Sequence, residues 1–199
     1  MDHIHSSIED RLFQLERGFH SSYTFSFFQV LLPMIIFSYS LVFADKADVS
    51  DEIDNSFSHY QQAVNNLNNA ISYINQCNNA NTVDEVNNNA RIADGSLFQA
   101  ISQLEYAANS ASDAAYHARS IDCYNSASSA QSAEDYYRNA KSELNNGKSS
   151  LFFLSNEDDI DQINYYLQNI NNNICQANYY LKNAVSALNN SSSNLSNCE

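Results

Sequence analysis

Apolar residues recur along this chain in alternating steps of three and four. Ile53, Phe57, Tyr60, Val64, Leu67, Ile71 and Ile74 form one such run. Val83, Val86, Ala90, Ala93, Leu97, Ala100, Leu104, Ala107, Ala111, Ala114, Ala118 and Ile121 form a second. Ile160, Ile163, Leu167, Ile170, Ile174, Ala177, Leu181, Ala184 and Leu188 form a third. Steps of this kind put each run on one narrow stripe of an α-helix, the a/d seam of a coiled-coil-like bundle. The pattern predicts an all-α fold of long helices.

The polar residues between the runs mark the turns. Thr82 followed by Glu85 reads as a capping box, and Glu157, Asp158, Asp159 and Asp161 crowd the start of the third run, where a helix dipole favours negative charge. Asn78–Thr82 and Ser155–Asp159 are therefore the expected loops. A third break falls at Asp122–Ser126 or at Asn109–Ser112.

The chain also aligns with itself on a shift of 77 residues: Tyr60, Ala63 and Leu67-Asn68-Asn69 fall on Tyr137, Ala140 and Leu144-Asn145-Asn146. The polar matches predict a duplicated helical hairpin. Two hairpins, each with one apolar stripe, bury those stripes against each other as an antiparallel four-helix bundle. The bundle is expected over residues 45–190, with 191–199 as a flexible tail.

The first 44 residues follow another pattern. Thr24–Ala44 is the only long apolar run, and it ends in Val42-Phe43-Ala44, a small-residue ending that suits signal-peptidase cleavage before Asp45. A run of this length also suits an uncleaved membrane anchor, with Met1–Ser22 as a polar extension. Both readings place the bundle outside the cell or in the cell envelope, and any membrane contact in the N-terminal segment alone.

Composition narrows the function. The chain holds 3 Gly and 1 Pro, which is what long helices require, and its 44% hydrophobic residues allow a real core. The net charge is −14, and the 9 Lys and Arg never cluster, so a nucleic-acid partner is not expected. Charged residues are only 16% of the chain, which leaves Asn, Ser, Gln and Tyr to cover the surface. Nucleophile elbows, zinc-protease motifs and phosphate-binding loops are all missing. His59 and His117 read as residues flanking a bundle core. The a/d positions are Ala, Leu, Ile and Val, with no Glu-x-x-His, which opposes a ferritin-like metal site. No catalytic residue, cofactor or metal is expected. An Ala-rich seam also packs helices closely and leaves little room for an internal ligand.

Four cysteines follow the apolar run: Cys77, Cys123, Cys175 and Cys198. An even count in an exported chain predicts two disulfides. A helix from 82 to 121 is about 59 Å long and carries Cys123 to the end where Cys198 also falls. Cys77 and Cys175 come level if the chain turns near Asn109–Ser112. The expected pairing is Cys77 with Cys175 and Cys123 with Cys198.

One surface feature stands out. Asn164-Tyr165-Tyr166-Leu167 recurs as Asn178-Tyr179-Tyr180-Leu181, two heptads on. With both Leu at a positions, Tyr165 and Tyr179 fall at f, and Tyr166 and Tyr180 at g. Rigid tyrosines among adaptable amides make a recognition surface for a partner protein, to which Tyr136 and Tyr137 are candidate additions. Asn189, Asn190 and Asn194 stand in N-x-S spacing, the acceptor pattern for a glycan in a eukaryotic secretory pathway.

In its plan of export signal, four cysteines and antiparallel four-helix bundle, the chain resembles plant invertase and pectin methylesterase inhibitors. The resemblance stops at that plan, because that family has a close cysteine pair near the mature N-terminus and here the first cysteine is Cys77. The sequence thus predicts a non-enzymatic exported bundle acting by surface contacts, or a secreted inhibitor or effector using its tyrosine face.

Overall fold

A computed structural model describes the backbone of residues 25–198 and the side chains of residues 46–198. The side chains of the expected signal or anchor run, Thr24–Ala44, and the whole of its polar extension lie outside the residues so described. The chain divides into two compact units at Val42/Phe43, and the bundle is the second, Phe43–Glu199. Among the described residues, no helix is long and apolar enough to cross a membrane.

Four helices and no strands make up the described residues: α1 (Phe25–Asn78), α2 (Val83–Ser120), α3 (Tyr124–Leu154) and α4 (Ile160–Ser196). Their ends are set locally. Thr82 Oγ1 accepts the Glu85 N–H at 3.2 Å, and Glu85 reaches back to the Asn81 N–H at 2.8 Å, so the predicted capping box forms one residue wide of its usual reach. Asp159 caps α4 through the N–H groups of Asp161 and Gln162.

Between α2 and α3 the chain turns at Ile121–Cys123. Asp122 has φ 58°, the left-handed region, and Cys123 N–H reaches back to the Ala118 carbonyl while Asp122 N–H reaches Arg119. That is a Schellman ending, with Asp in the place usually held by Gly. Of the two expected break points, the structure takes the one beside Asp122 and keeps Asn109–Ser112 helical.

Neighbouring helices run in opposite directions. Ser56, His59 and Cys77 of α1 meet Ala107, Gln103 and Val86 of α2. Arg91, Asp94, Glu105 and Arg119 of α2 meet Ser155, Lys148, Lys141 and Gln131 of α3. Ser126 and Asn125 of α3 meet Ser191 and Asn194 of α4.

The core is one long seam. Its upper part holds Leu67, Ile74, Leu97, Leu104, Leu144, Leu151 and Ile170, while near the α2–α3 turn small residues such as Ala114, Ala118, Ala127 and Ala130 pack with Val49, Ile53 and Leu195. In α2 and α4 the buried residues follow the predicted seams, apart from the half-buried Val83 and Ile121 and the exposed Ile160 at the helix ends. In α1 the expected Ile53, Leu67 and Ile74 are buried, while the alternate positions of the seam fall one residue from the expected ones. Ser56, Ala63, Ala70 and Cys77 are buried, and Phe57, Val64 and Ile71 flank them half-buried. The small residues take the central positions because they let the helices approach. The larger neighbours then close the flank.

Past Asn190, where a flexible tail was expected, α4 continues to Ser196 with Ser191 and Leu195 buried. The helix persists because its seam persists. Ser126 and Ser191 donate reciprocally to each other's backbone carbonyls at 2.9 and 3.0 Å, and both side chains are fully or almost fully enclosed. Asn194, one of the N-x-S asparagines, is occupied by Asn125 and Ser129.

Candidate interaction surface

The phase of the seam decides which aromatic residues face outward. Leu151 and Leu154 are both fully buried at the end of α3, so the two residues between them turn away from the core. Those residues are Phe152 and Phe153, exposed by 64% and 54%. On α4, burial of Ile163 and Leu167 turns Tyr165 outward, while Tyr166 lies half-buried against the core.

The antiparallel crossing of α3 and α4 then joins these rings. Phe153 stacks on Tyr166 with centroids 5.7 Å apart and planes 19° from parallel. Phe152 meets Phe153 edge-on at 5.7 Å, and Tyr165 meets Tyr166 edge-on at 5.6 Å. Four rings from two helices form an unbroken row, Phe152–Phe153–Tyr166–Tyr165. Ile160, at the first turn of α4, is exposed at the same end of the hairpin.

The sequence pointed to Tyr165 and Tyr166 and missed Phe152 and Phe153. A Phe-Phe pair between two seam leucines was the available signal. The second tyrosine pair stands apart, about 21 Å farther along α4. Tyr179 is exposed and meets the half-buried Tyr180 at 5.5 Å. Tyr136 and Tyr137 do not extend the surface: Tyr136 packs half-buried on the core, and Tyr137 is wholly enclosed beside Tyr60.

Charge is unevenly spread. Every ion pair among the described residues joins α2 and α3 or lies within α3: Arg138 with Glu105 and Glu134, Lys141 with Glu105, and Lys148 with Asp94. The Lys141 hydrogen bond holds the Glu105 carboxyl below the usual range. Along α4, the only charged side chain between Gln162 and Cys198 is Lys182. The end of the aromatic row, by contrast, is acidic. Glu157 there accepts the N–H groups of Asp158 and Asp159, and Asp159 caps α4. Two bases stand at this end, Arg91, with a 3.4 Å contact to the Ser155 carbonyl, and Lys148, one turn before Phe152 and paired with Asp94.

The cysteines separate into two kinds. Cys123 and Cys198 lie at disulfide distance, with Cα atoms 5.8 Å apart, and join the start of α3 to the end of α4. Cys77 and Cys175 are not brought together. Arg91, eight residues into α2, is level with Ser155, so the α1–α2 hairpin projects about 12 Å beyond the other. Leu97 of α2 and Asn173 of α4 both flank Gly147, and Cys77 is level with Val86, so Cys175 lies about 20 Å below Cys77 along the bundle, far beyond the roughly 7 Å limit for a bridge. Cys77 is buried, its thiol 3.5 Å from the Val86 carbonyl and pushed up to about 11 by burial, while Cys175 is exposed.

His59 pairs with Gln103 at 2.8 Å and packs on Tyr106, and His117 packs on Tyr116. Among the described residues, no group of His, Cys, Asp and Glu is placed to hold a metal ion. Comparison with known proteins finds no matching family model, no matching curated relative and no matching solved structure.

Proposed function

We propose that this chain is a non-enzymatic exported helical bundle that binds a partner protein through the row Phe152–Phe153–Tyr166–Tyr165. The continuous exposed row carries the reading. Four rings in contact are rigid recognition area, held in place by fully buried Leu151 and Leu154 on one helix and by Ile163 and Leu167 on the next. Nothing in the bundle requires Phe152 and Tyr165 to be aromatic, since both are mostly exposed. Tyr179 and Tyr180 form a secondary contact farther down the same helix. Export rests on the apolar run Thr24–Ala44 and on the Cys123–Cys198 pair, which suits an oxidising compartment. We also read the two hairpins as a duplication, in which Tyr60 and Tyr137 are equivalent positions facing each other across the core.

Two measurements test this. Crosslinked capture from the native host should lose its specific partner with Phe152→Ser/Tyr165→Ser, both at exposed positions, while the melting temperature holds. Capture that survives both changes overturns the surface. Asp45 as the N-terminal residue of the isolated protein supports export by cleavage, whereas Met1 without membrane association overturns export.

A further inference from the structure

We infer that the partner presents a cationic amphipathic helix to this surface. The inference rests on the recognition surface proposed above and names the chemistry that fits it. The row offers apolar area: Phe152, Phe153 and Ile160 are each more than half exposed and carry no polar group. Three ring-to-ring steps of 5.6 to 5.7 Å give the row a contour of up to about 17 Å, enough to underlie one helix of about 10–12 Å diameter. A row of this width suits a helix laid across it with anchors on one face.

Charge selects the kind of helix. Glu157, Asp158, Asp159 and Asp161 fall in the turn between the two helices that carry the row and in the first turn of α4, between Phe153 and Tyr165 in the chain, and none is in an ion pair among the described residues. Glu157 and Asp159 accept backbone N–H groups, while Asp158 and Asp161 have no such partner for their carboxylates. The bases of this end are engaged elsewhere: Arg91 donates to the Ser155 carbonyl and Lys148 pairs with Asp94. The whole chain carries −14, so the field at the row attracts cations and repels acidic surfaces. A second copy would bring the same acids against these acids, and an anionic lipid surface would be repelled in the same way. A segment with one apolar stripe and flanking Lys or Arg satisfies both the rings and the carboxylates.

The test uses the oxidised exported chain and three labelled peptides of equal length: a Lys/Leu amphipathic helix, a Lys/Ser peptide of equal charge, and a Glu/Leu helix. Binding is read by anisotropy at low and high salt. The Lys/Leu helix should bind, with affinity falling as salt rises. Phe152→Ser/Phe153→Ser should weaken it by about tenfold or more. Asp158→Asn/Asp161→Asn should weaken it and flatten the salt dependence.

Equal binding of the Lys/Ser peptide, or no effect of the Phe changes, would mean bulk attraction to an acidic protein and overturns the inference. So would preference for the Glu/Leu helix, binding of neutral phosphatidylcholine vesicles instead, or self-association through the row in sedimentation. If host capture needs the row and the Lys/Leu helix does not bind, the surface stands and the cationic partner falls.

Discussion

Phe153 and Tyr166 stack face to face across the gap between α3 and α4, 5.7 Å apart. The contact gives the two tyrosines of the first Asn-Tyr-Tyr-Leu unit different duties. Tyr165 is surface alone, while Tyr166 packs on the core and supports Phe153. Changing both to Ser therefore mixes a stability effect with a binding effect. Tyr165→Ser should shift stability by no more than about 0.5 kcal/mol. Tyr166→Ser should lower it by about 1–2 kcal/mol through lost burial and stacking. Chemical denaturation of the two single variants checks this, and equal losses would contradict it.

The two unbridged thiols should react at different rates. At pH 8, Cys175 is open to a maleimide, and Cys77 is both shielded and held almost wholly as thiol, its pKa raised from 9.0 to about 11 by burial. Mass spectrometry after brief labelling should find one adduct, on Cys175. A second adduct should need denaturant. Equal labelling of both would show that the end of α1 opens readily.

Tyr137 is enclosed and its hydroxyl makes no hydrogen bond of normal length; Ser56, which donates to the Ala107 carbonyl at 2.8 Å, lies nearby with its oxygen still able to accept, but too far for more than a weak contact. Leaving such a group unpaired costs about 1–3 kcal/mol, so Tyr137→Phe should stabilise the bundle, by up to about that amount. Burial also raises the Tyr137 pKa above its ordinary 10.0. Above pH 10 the unfolded chain releases this proton and the folded one keeps it. Stability then falls as pH rises, by about 1.4 kcal/mol per unit for this group. Below pH 10 the group adds no slope. Melts from pH 8 to 11 should show a shallower alkaline decline in Tyr137→Phe. Identical declines would contradict the assignment.

The Cys123–Cys198 bridge spans a sequence separation of 75 and pins the last turns of α4 to the start of α3. Chain-entropy arguments place its value at about 4 kcal/mol, and measured cases run about 2–4. Reduction, or Cys123→Ser/Cys198→Ser, should cost that much in urea denaturation. It should also speed hydrogen exchange first along Ser191–Ser196. No change in either would mean that the reciprocal Ser126–Ser191 pair holds that end unaided.

Much of the fold is written locally. Seam spacing sets which face of each helix is apolar, and Thr82 and Asp159 start two helices by hydrogen bonds within their own first turns. Such interactions depend on near neighbours in the chain, so the pattern of residues alone determines where helices α2 and α4 start and how they are capped, and narrows the third turn to two positions. It also determines that Tyr165 faces outward. Only the tertiary structure decides the rest. In α1, Phe57, Val64 and Ile71 and the residues just before them, Ser56, Ala63 and Ala70, both repeat at heptad spacing. Packing distance chose the smaller set for the centre. The tail became helix because Ser191 and Leu195 found burial against α3 and α1. The turn at Asp122 rather than at Asn109–Ser112 left Cys77 and Cys175 at different heights. Packing set the register between α3 and α4 and put Phe153 on Tyr166, because contacts between helices depend on axial offset, a quantity that no run of residues along one helix contains.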